Sequence, residues 1–385
     1  MRNVCIVVGS RANYASIRSA MHSVQQHPDL KLTTVVGASA LLPRFGAVVD
    51  RIRDDGFNID HTYYMIVEGE NPATMAKSTG LGLMELANIF DNIKPDVVVT
   101  IGDRFETMAT AIAAAYMNIP LAHTMGGEVT GTIDESIRHA ITKFAHIHFP
   151  ANDDAAQRII KLGEEADTIF NVGCPRIDEV QRILRDEPYE DMNRVFDDFG
   201  GVGNTLDLNE PFLLVSQHPV TTEYGDGRRQ IAATLDALEQ LAMPTVMLWP
   251  NIDAGSDDIA KGIRQFRETK APGFLHLFIN LPMHVYVHLM DRCACLIGNS
   301  SSAIREGAFI GTPAVNLGSR QMKRQRGKNL IDVEHDASAI VAAVRKQLAH
   351  GKYDRDTLYG DGTAGEKIAH ALATADVKLQ KTITY

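Results

Sequence analysis

The 385 residues, 45% apolar and 22% charged, suit a soluble globular chain of two ordinary domains. With 38 Lys and Arg against 48 Asp and Glu, the formal charge is −10. That excludes general nucleic-acid binding, which needs a positive face for the phosphate backbone, but leaves room for a local basic pocket for a small anion.

The chain opens with a short apolar run, Val4–Val8, that ends at Gly9-Ser10. It is too short to span a bilayer and lacks a cleavage-type sequel, so it reads as a first buried strand of a cytoplasmic protein. Leu32–Val36, Val97–Ile101, Leu121–His123 and Ile169–Val172 read as further strands. Between them, Ala15–Gln26, Thr74–Ile93 and Phe105–Met117 show helical spacing. Val- and Ile-rich strands alternating with helices imply a parallel, doubly wound sheet.

A polar stretch without strong periodicity, Arg185 to Glu210, precedes a second set: Phe212–Ser216, Thr245–Trp249, Leu275–Ile279, Ala294–Ile297, Ala314–Leu317 and Leu330–Val333. The expected fold is α/β, two Rossmann-like doubly wound domains facing across a cleft. The first covers 1–175 and the second 176–363, which the family resemblance given below implies to be the nucleotide-binding one. A C-terminal helix within 364–385, with helical pattern over Glu366–Gln380, is expected to pack back on the first. The four cysteines (Cys5, Cys174, Cys293, Cys295) are scattered without metal or redox spacing and read as buried free thiols; no metal site is expected.

In such sheets ligands sit beyond the carboxyl ends of the strands, so the residues after each strand carry the functional signal. After the first strand, Gly9-Ser10-Arg11 forms a glycine turn into a helix start, offering backbone N–H groups and a cation to an anion, or else a plain turn with a solvated arginine. Neither a dinucleotide fingerprint nor a Walker loop is present. After Val97–Ile101, Asp103 and Arg104 stand side by side at a buried strand end, where both need neutralising. An ion pair in the fold answers that, and so does a carboxylate near a substrate carbon with a guanidinium near phosphate. The next strand leads into Gly126-Gly127-Glu128 and on to Asp134, which fits a helix N-cap as well as a chemical role. Arg138 and His139 read equally as solvated.

In the second half, His218 follows one strand and Asn251 another. Ser300 and Ser301 sit at a strand-to-helix junction, where hydroxyl and backbone donors suit phosphate oxygens. Glu306 is placed to accept from a ribose diol, and Arg320 adds a cation. Together these point to a diphosphate site.

The residues GDRFE (102–106), GGEVTGTIDESIRHAITK (126–143), QHPVTT (217–222), PNIDAGS (250–256), GNSS (298–301), GTPAVNLGSRQ (311–321) and YGDG (359–362) resemble the hydrolysing UDP-N-acetylglucosamine 2-epimerase family of sialic-acid-type sugar biosynthesis, nearly end to end. The resemblance implies a GT-B-like two-lobed fold, a UDP-HexNAc substrate, a homodimer or homotetramer, and a reaction without metal or other cofactor. Diphosphate leaves C1 as the C2 proton is removed, a glycal forms, and water then adds to C1 while a proton returns to C2 from the other face. By the same resemblance Asp103 and Asp134 serve the proton and water steps, and Arg11, Arg104, His218, Asn251, Ser300, Ser301, Glu306 and Arg320 contact the nucleotide diphosphate. Two positions depart from the family pattern: Asn13 and Met125 stand where members often carry acids. With Met125 unable to act as a base, Glu128 is the substitute, or Asp103 and Asp134 suffice, or the sugar is a 2,4-diacetamido-6-deoxyhexose on UDP or GDP. A GT-B glycosyltransferase and a lapsed nucleotide-sugar binder are the competing functions.

Overall fold

A computed structural model describes residues 1–43, 48–69, 72–129, 133–250, 255–279 and 281–385. The chain divides into two compact units: unit 1 is Met1–Glu179 with Tyr359–Tyr385, and unit 2 is Val180–Leu358.

Unit 1 is built on strands β1 (Arg2–Val8), β2 (Leu30–Gly37), β3 (His61–Tyr63), β4 (Val97–Ile101), β5 (Leu121–Thr124) and β6 (Ile147–Phe149). They pair in the order β3-β2-β1-β4-β5-β6, all parallel. β1 and β4 lie at the centre and alternate their side chains between two cores. Val4, Ile6, Val97 and Val99 face one, while Cys5, Val7 and Val98 face the other. Such burial on both faces is why these strands read as continuous apolar runs. The helix Ala364–Thr374 lays Ile368 and Leu372 into the first of those cores.

Unit 2 follows with β7 (Val202–Gly203), β8 (Leu213–Ser216), β9 (Thr245–Leu248), β10 (Leu275–Phe278), β11 (Cys295–Gly298), β12 (Ala314–Leu317) and β13 (Leu330–Val333). The order is β13-β12-β11-β8-β9-β10-β7, parallel except for β7, which runs antiparallel beside β10. Both units are therefore doubly wound and Rossmann-like, as the alternation of elements implies.

Four expectations need correction. Ile169–Val172 is not a strand: it touches the sheet at a single bridge, His148 to Ile169, at the outer edge of β6. Ala15–Gln26 is two helices, Arg11–Ala15 and Arg18–Gln26, because Ile17, at φ −137° and ψ −11°, leaves the helical conformation and sinks its side chain into the core. The aperiodic stretch after Arg185 holds a short helix, Arg194–Phe199, as well as β7. The C-terminal helix stops at Thr374, short of Gln380. All four cysteines are free and buried, as expected, and burial pushes the thiols of Cys5, Cys293 and Cys295 upward.

Candidate functional site

In unit 1 the carboxyl ends of β1, β4 and β5 bring three loops together. Ser10 caps the helix Arg11–Ala15 by accepting from the Asn13 N–H at 3.3 Å. Asn13 is buried; its Oδ1 accepts from the Gly9 N–H at 3.2 Å and its Nδ2 donates to the Ile101 carbonyl at 3.1 Å. The turn thus spends on itself N–H groups expected to serve an anion. Its amide ties β1 to β4, and a carboxylate at position 13 could not donate to Ile101. Arg11 lies exposed beside it.

Asp103 and Arg104 follow β4 but pair with other residues rather than each other. Asp103 forms an ion pair with Arg138 of the helix Ile133–Phe144. Of the two readings left open for Arg138, solvated or not, the solvated one is ruled out: it is 4% exposed, and a buried guanidinium requires this partner. Its Nη1 also donates to the Glu128 carbonyl at 2.9 Å. Asp134 lies one turn before it, in the first turn of the same helix. Arg138 thus holds the carboxylate of Asp103 and the main chain of Glu128, and shares its helix with Asp134.

Arg104 donates through Nε to Glu106 Oε1 at 2.9 Å. Glu106 is buried directly beneath Gly9, where a Cβ would come within 2.4 Å of its Cγ. Burial raises the Glu106 carboxyl above its usual range, and the Arg104 charge only partly opposes this. His123 closes the floor of the site. Its Nε2 donates to the Gly102 carbonyl at 2.7 Å, and Nδ1 faces the Thr142 hydroxyl at 3.3 Å. Complete burial holds the imidazole down at about 3, so it is neutral. The turn beyond it carries Met125 at φ +61°, a left-handed conformation unusual for this side chain.

In unit 2 the loops after β8, β11 and β12 converge. His218 follows β8, and its ring Nε2 lies 3.4 Å from Ser216 Oγ. Its backbone is held by Asn299 after β11, with Oδ1 accepting from the His218 N–H at 2.7 Å and Nδ2 donating to its carbonyl at 2.8 Å. Gly298 permits this approach: at φ +140°, a Cβ there would stand 2.0 Å from the Ser216 carbonyl oxygen. Ser300 Oγ accepts from the Ser302 N–H at 3.3 Å and contacts Ser302 Oγ at 2.9 Å. The Ser302 hydroxyl in turn meets Tyr286 Oη at 2.8 Å. Ser301 opens a short 3-10 turn. Glu306 begins the helix Glu306–Ile310 and is buried. Arg320 Nη1 donates to the Asn299 carbonyl at 3.2 Å. Glu223, at the end of the loop after β8, accepts from the Ser319 hydroxyl and from Gln230 Nε2 at 2.6 Å. Asn251 lies outside the described residues. Among the described residues no cluster suited to a metal is found, and no helix is long and apolar enough to cross a membrane.

Each unit thus assembles its own set of strand-end groups: carboxylates and arginines in unit 1; hydroxyls, His218 and Arg320 in unit 2. Arg138, Glu106, His123 and Asn299 were missed as parts of them.

The family model described as UDP-N-acetylglucosamine 2-epimerase matches residues 22–373. The chain is 32% identical over 385 residues to the UDP-N,N'-diacetylbacillosamine 2-epimerase (hydrolyzing) of Legionella pneumophila, covering 99% of this chain and 98% of the relative. It is 28% identical over 389 residues to the UDP-N-acetylglucosamine 2-epimerase of Neisseria meningitidis, covering 99% and 98%. The fold also matches the crystal structure of UDP-GlcNAc 2-epimerase from Neisseria meningitidis bound to UDP-GlcNAc, with a TM-score of 0.79 at 16% identity, over 96% of this chain and 99% of that one. With the family model spanning most of its length, the chain belongs to the UDP-N-acetylglucosamine 2-epimerase family.

Proposed function

We propose that this chain is a hydrolysing nucleotide-sugar 2-epimerase that converts UDP-N-acetylglucosamine and water to N-acetylmannosamine and UDP. The observation that carries the reading is the carboxylate of Asp103 at the end of β4, held by the buried Arg138, with Asp134 on the same helix as that arginine. Relatives at 32% and 31% identity that carry the word hydrolyzing in their names support the water step.

In the proposed reaction the C1–O bond breaks and its electron pair leaves with the diphosphate. A carboxylate takes the C2 proton, and the C2–H electrons form the C1–C2 double bond of a glycal. Water then gives its oxygen to C1, and a proton returns to C2 from the opposite face. The C2 proton is only weakly acidic, so the barrier falls mainly by stabilising the departing diphosphate and the positive ring. In unit 2, His218, Ser300, Ser301 and Arg320 bind the diphosphate, with Glu306 accepting from the ribose and Asn251 adding a contact. In unit 1, Arg104 and Arg11 supply positive charge, and Asp103, Asp134 and Glu128 supply the carboxylates that move the proton and activate water. The family resemblance carries with it a homodimer or homotetramer, which light scattering measures.

A second sugar is favoured by one residue. Met125 places a thioether in the turn after β5, which suits a less polar hexose such as a 2,4-diacetamido-6-deoxy sugar on UDP or GDP, and the Legionella relative is named for a substrate of that class.

Proton NMR of the products from a panel of UDP- and GDP-linked amino sugars in deuterated water tests both. Deuterium at C2 of a free, epimerised sugar is expected. Nucleotide release without C2 exchange sinks the epimerase reading, and release only on adding an acceptor replaces it with a glycosyltransferase.

A further inference from the structure

The three loops of unit 2 meet at Asn299, whose side chain is fully buried. Its amide is used in both directions on one residue, accepting from the His218 N–H and donating to the His218 carbonyl. Its own carbonyl accepts from Arg320 Nη1 at 3.2 Å and from Gln321 Nε2 at 2.9 Å, and its N–H donates to the Ser216 carbonyl at 3.1 Å. Pro219 follows His218 directly and restricts the backbone there, and Asn299 holds both the N–H and the carbonyl of that backbone, from which the ring reaches Ser216 Oγ at 3.4 Å.

We propose that Asn299 is a positioning residue of the nucleotide-diphosphate site, setting the His218 imidazole through its backbone and the Arg320 guanidinium through the Asn299 carbonyl. This rests on reading unit 2 as the nucleotide-binding unit. The side-chain chemistry is specific. One acceptor and one donor on the same short side chain match the two backbone groups of His218. Aspartate would set a carboxylate oxygen against the His218 carbonyl, and alanine would leave both groups without their partner. Glutamine is one methylene too long for the same geometry.

The test uses the full chain, with UDP as the probe in titration calorimetry and melting curves alongside. Asn299→Asp and Asn299→Ala are expected to weaken UDP binding about ten- to a hundredfold while the chain stays folded, the size of one or two lost buried hydrogen bonds. His218→Ala is expected to weaken binding too. The double variant Asn299→Ala with His218→Ala should lose little more than the worse single variant, because the Asn299 side chain acts through His218 while the main-chain carbonyl that meets Arg320 is kept. Unchanged UDP affinity in Asn299→Ala, or losses that multiply in the double variant, would overturn the proposal. So would unfolding of both Asn299 variants, which would assign the residue to stability. A wild-type chain that does not bind UDP removes the functional reading and this inference together, whereas wild-type binding with unaffected variants removes only the inference.

Discussion

Arg138, buried in the helix Ile133–Phe144, closes on the carboxylate of Asp103 beyond β4, so a partly exposed acid is held by an arginine with almost no exposure of its own. The same guanidinium holds the Glu128 carbonyl. Removing it leaves a carboxylate and a carbonyl without their donor. Arg138→Leu is expected to lower stability by about 2–4 kcal/mol, discounted from a fully buried pair because Asp103 retains 20% side-chain exposure. Turnover should fall with it, because Asp103 loses its fixed direction. Arg138→Lys should recover part of the stability but little turnover, since lysine cannot span both oxygens with one planar group. Denaturant melts and steady-state rates check this, and full activity in Arg138→Lys would count against the bridging role.

Asp103→Asn keeps the size of the side chain and removes the proposed base. Turnover is expected to drop about 10²–10⁴-fold, the usual contribution of a positioned acid or base. UDP affinity should stay within a few fold, because the diphosphate contacts are assigned elsewhere. A variant that still turns over at the wild-type rate would move the chemistry to Asp134 or Glu128.

Arg104 and Glu106 separate charge from placement. Arg104→Ala removes a cation assigned to the leaving group, and a loss of about 10²–10³ in kcat is expected. Glu106→Gln retains an acceptor for Arg104 Nε while removing a buried negative charge. It should raise KM severalfold and change kcat much less. Equal kcat losses in the two variants would place Glu106 itself in the chemistry.

The fold was legible because both faces of the central strands are buried, which leaves uninterrupted apolar runs such as Val97–Ile101 in the sequence. The edges were not. β3 and β6 are three residues each, and β7 is two residues with both side chains exposed, so neither length nor pattern marks them. At the site, charged residues at strand ends stood out, but their partners did not. Asp103 and Arg104 are adjacent in sequence and answer to Arg138 and Glu106, one on a different helix and one beneath a different turn. Asn13 looked like a missing acid and proves to be a latch needing an amide, because one of its contacts is a donated hydrogen bond to Ile101.

Stability should fall as the pH is lowered, in two windows. His123 is held at about 3 against an ordinary 6.5, first by burial. Between those values the unfolded chain binds a proton that the native chain refuses, so this contribution is whole above pH 6.5 and is lost as the pH falls toward 3. Glu164 runs the same way at lower pH. Burial alone would raise it, but hydrogen bonds from His148, Lys143 and Lys381 outweigh that and bring it to about 2 from an ordinary 4.5. Its contribution is present above pH 4.5 and lost as the pH drops through 2. His123→Gln retains a donor for the Gly102 carbonyl and cannot titrate. Its unfolding free energy should vary less steeply between pH 4 and 6.5, by up to about 1.4 kcal/mol per pH unit for one proton. Denaturant titrations at several pH values measure the slope, and an unchanged slope would mean that His123 is not the refusing group.

Met125 holds φ at +61° in the turn between His123 and Gly126, where a side chain costs about 1–2 kcal/mol relative to the right-handed region. Glycine removes that strain but releases more chain entropy on unfolding, about 0.5–1 kcal/mol. The difference leaves Met125→Gly more stable by about 0–1.5 kcal/mol. The Met125 side chain is only half-buried, so little packing is lost on the other side of the balance. Strained residues persist mainly where function fixes them, and the variant should accordingly bind its sugar less selectively even as it gains stability. Melting curves with kcat/KM for N-acetyl and 2,4-diacetamido substrates test both halves. A less stable Met125→Gly would show that thioether packing, not backbone conformation, governs this turn.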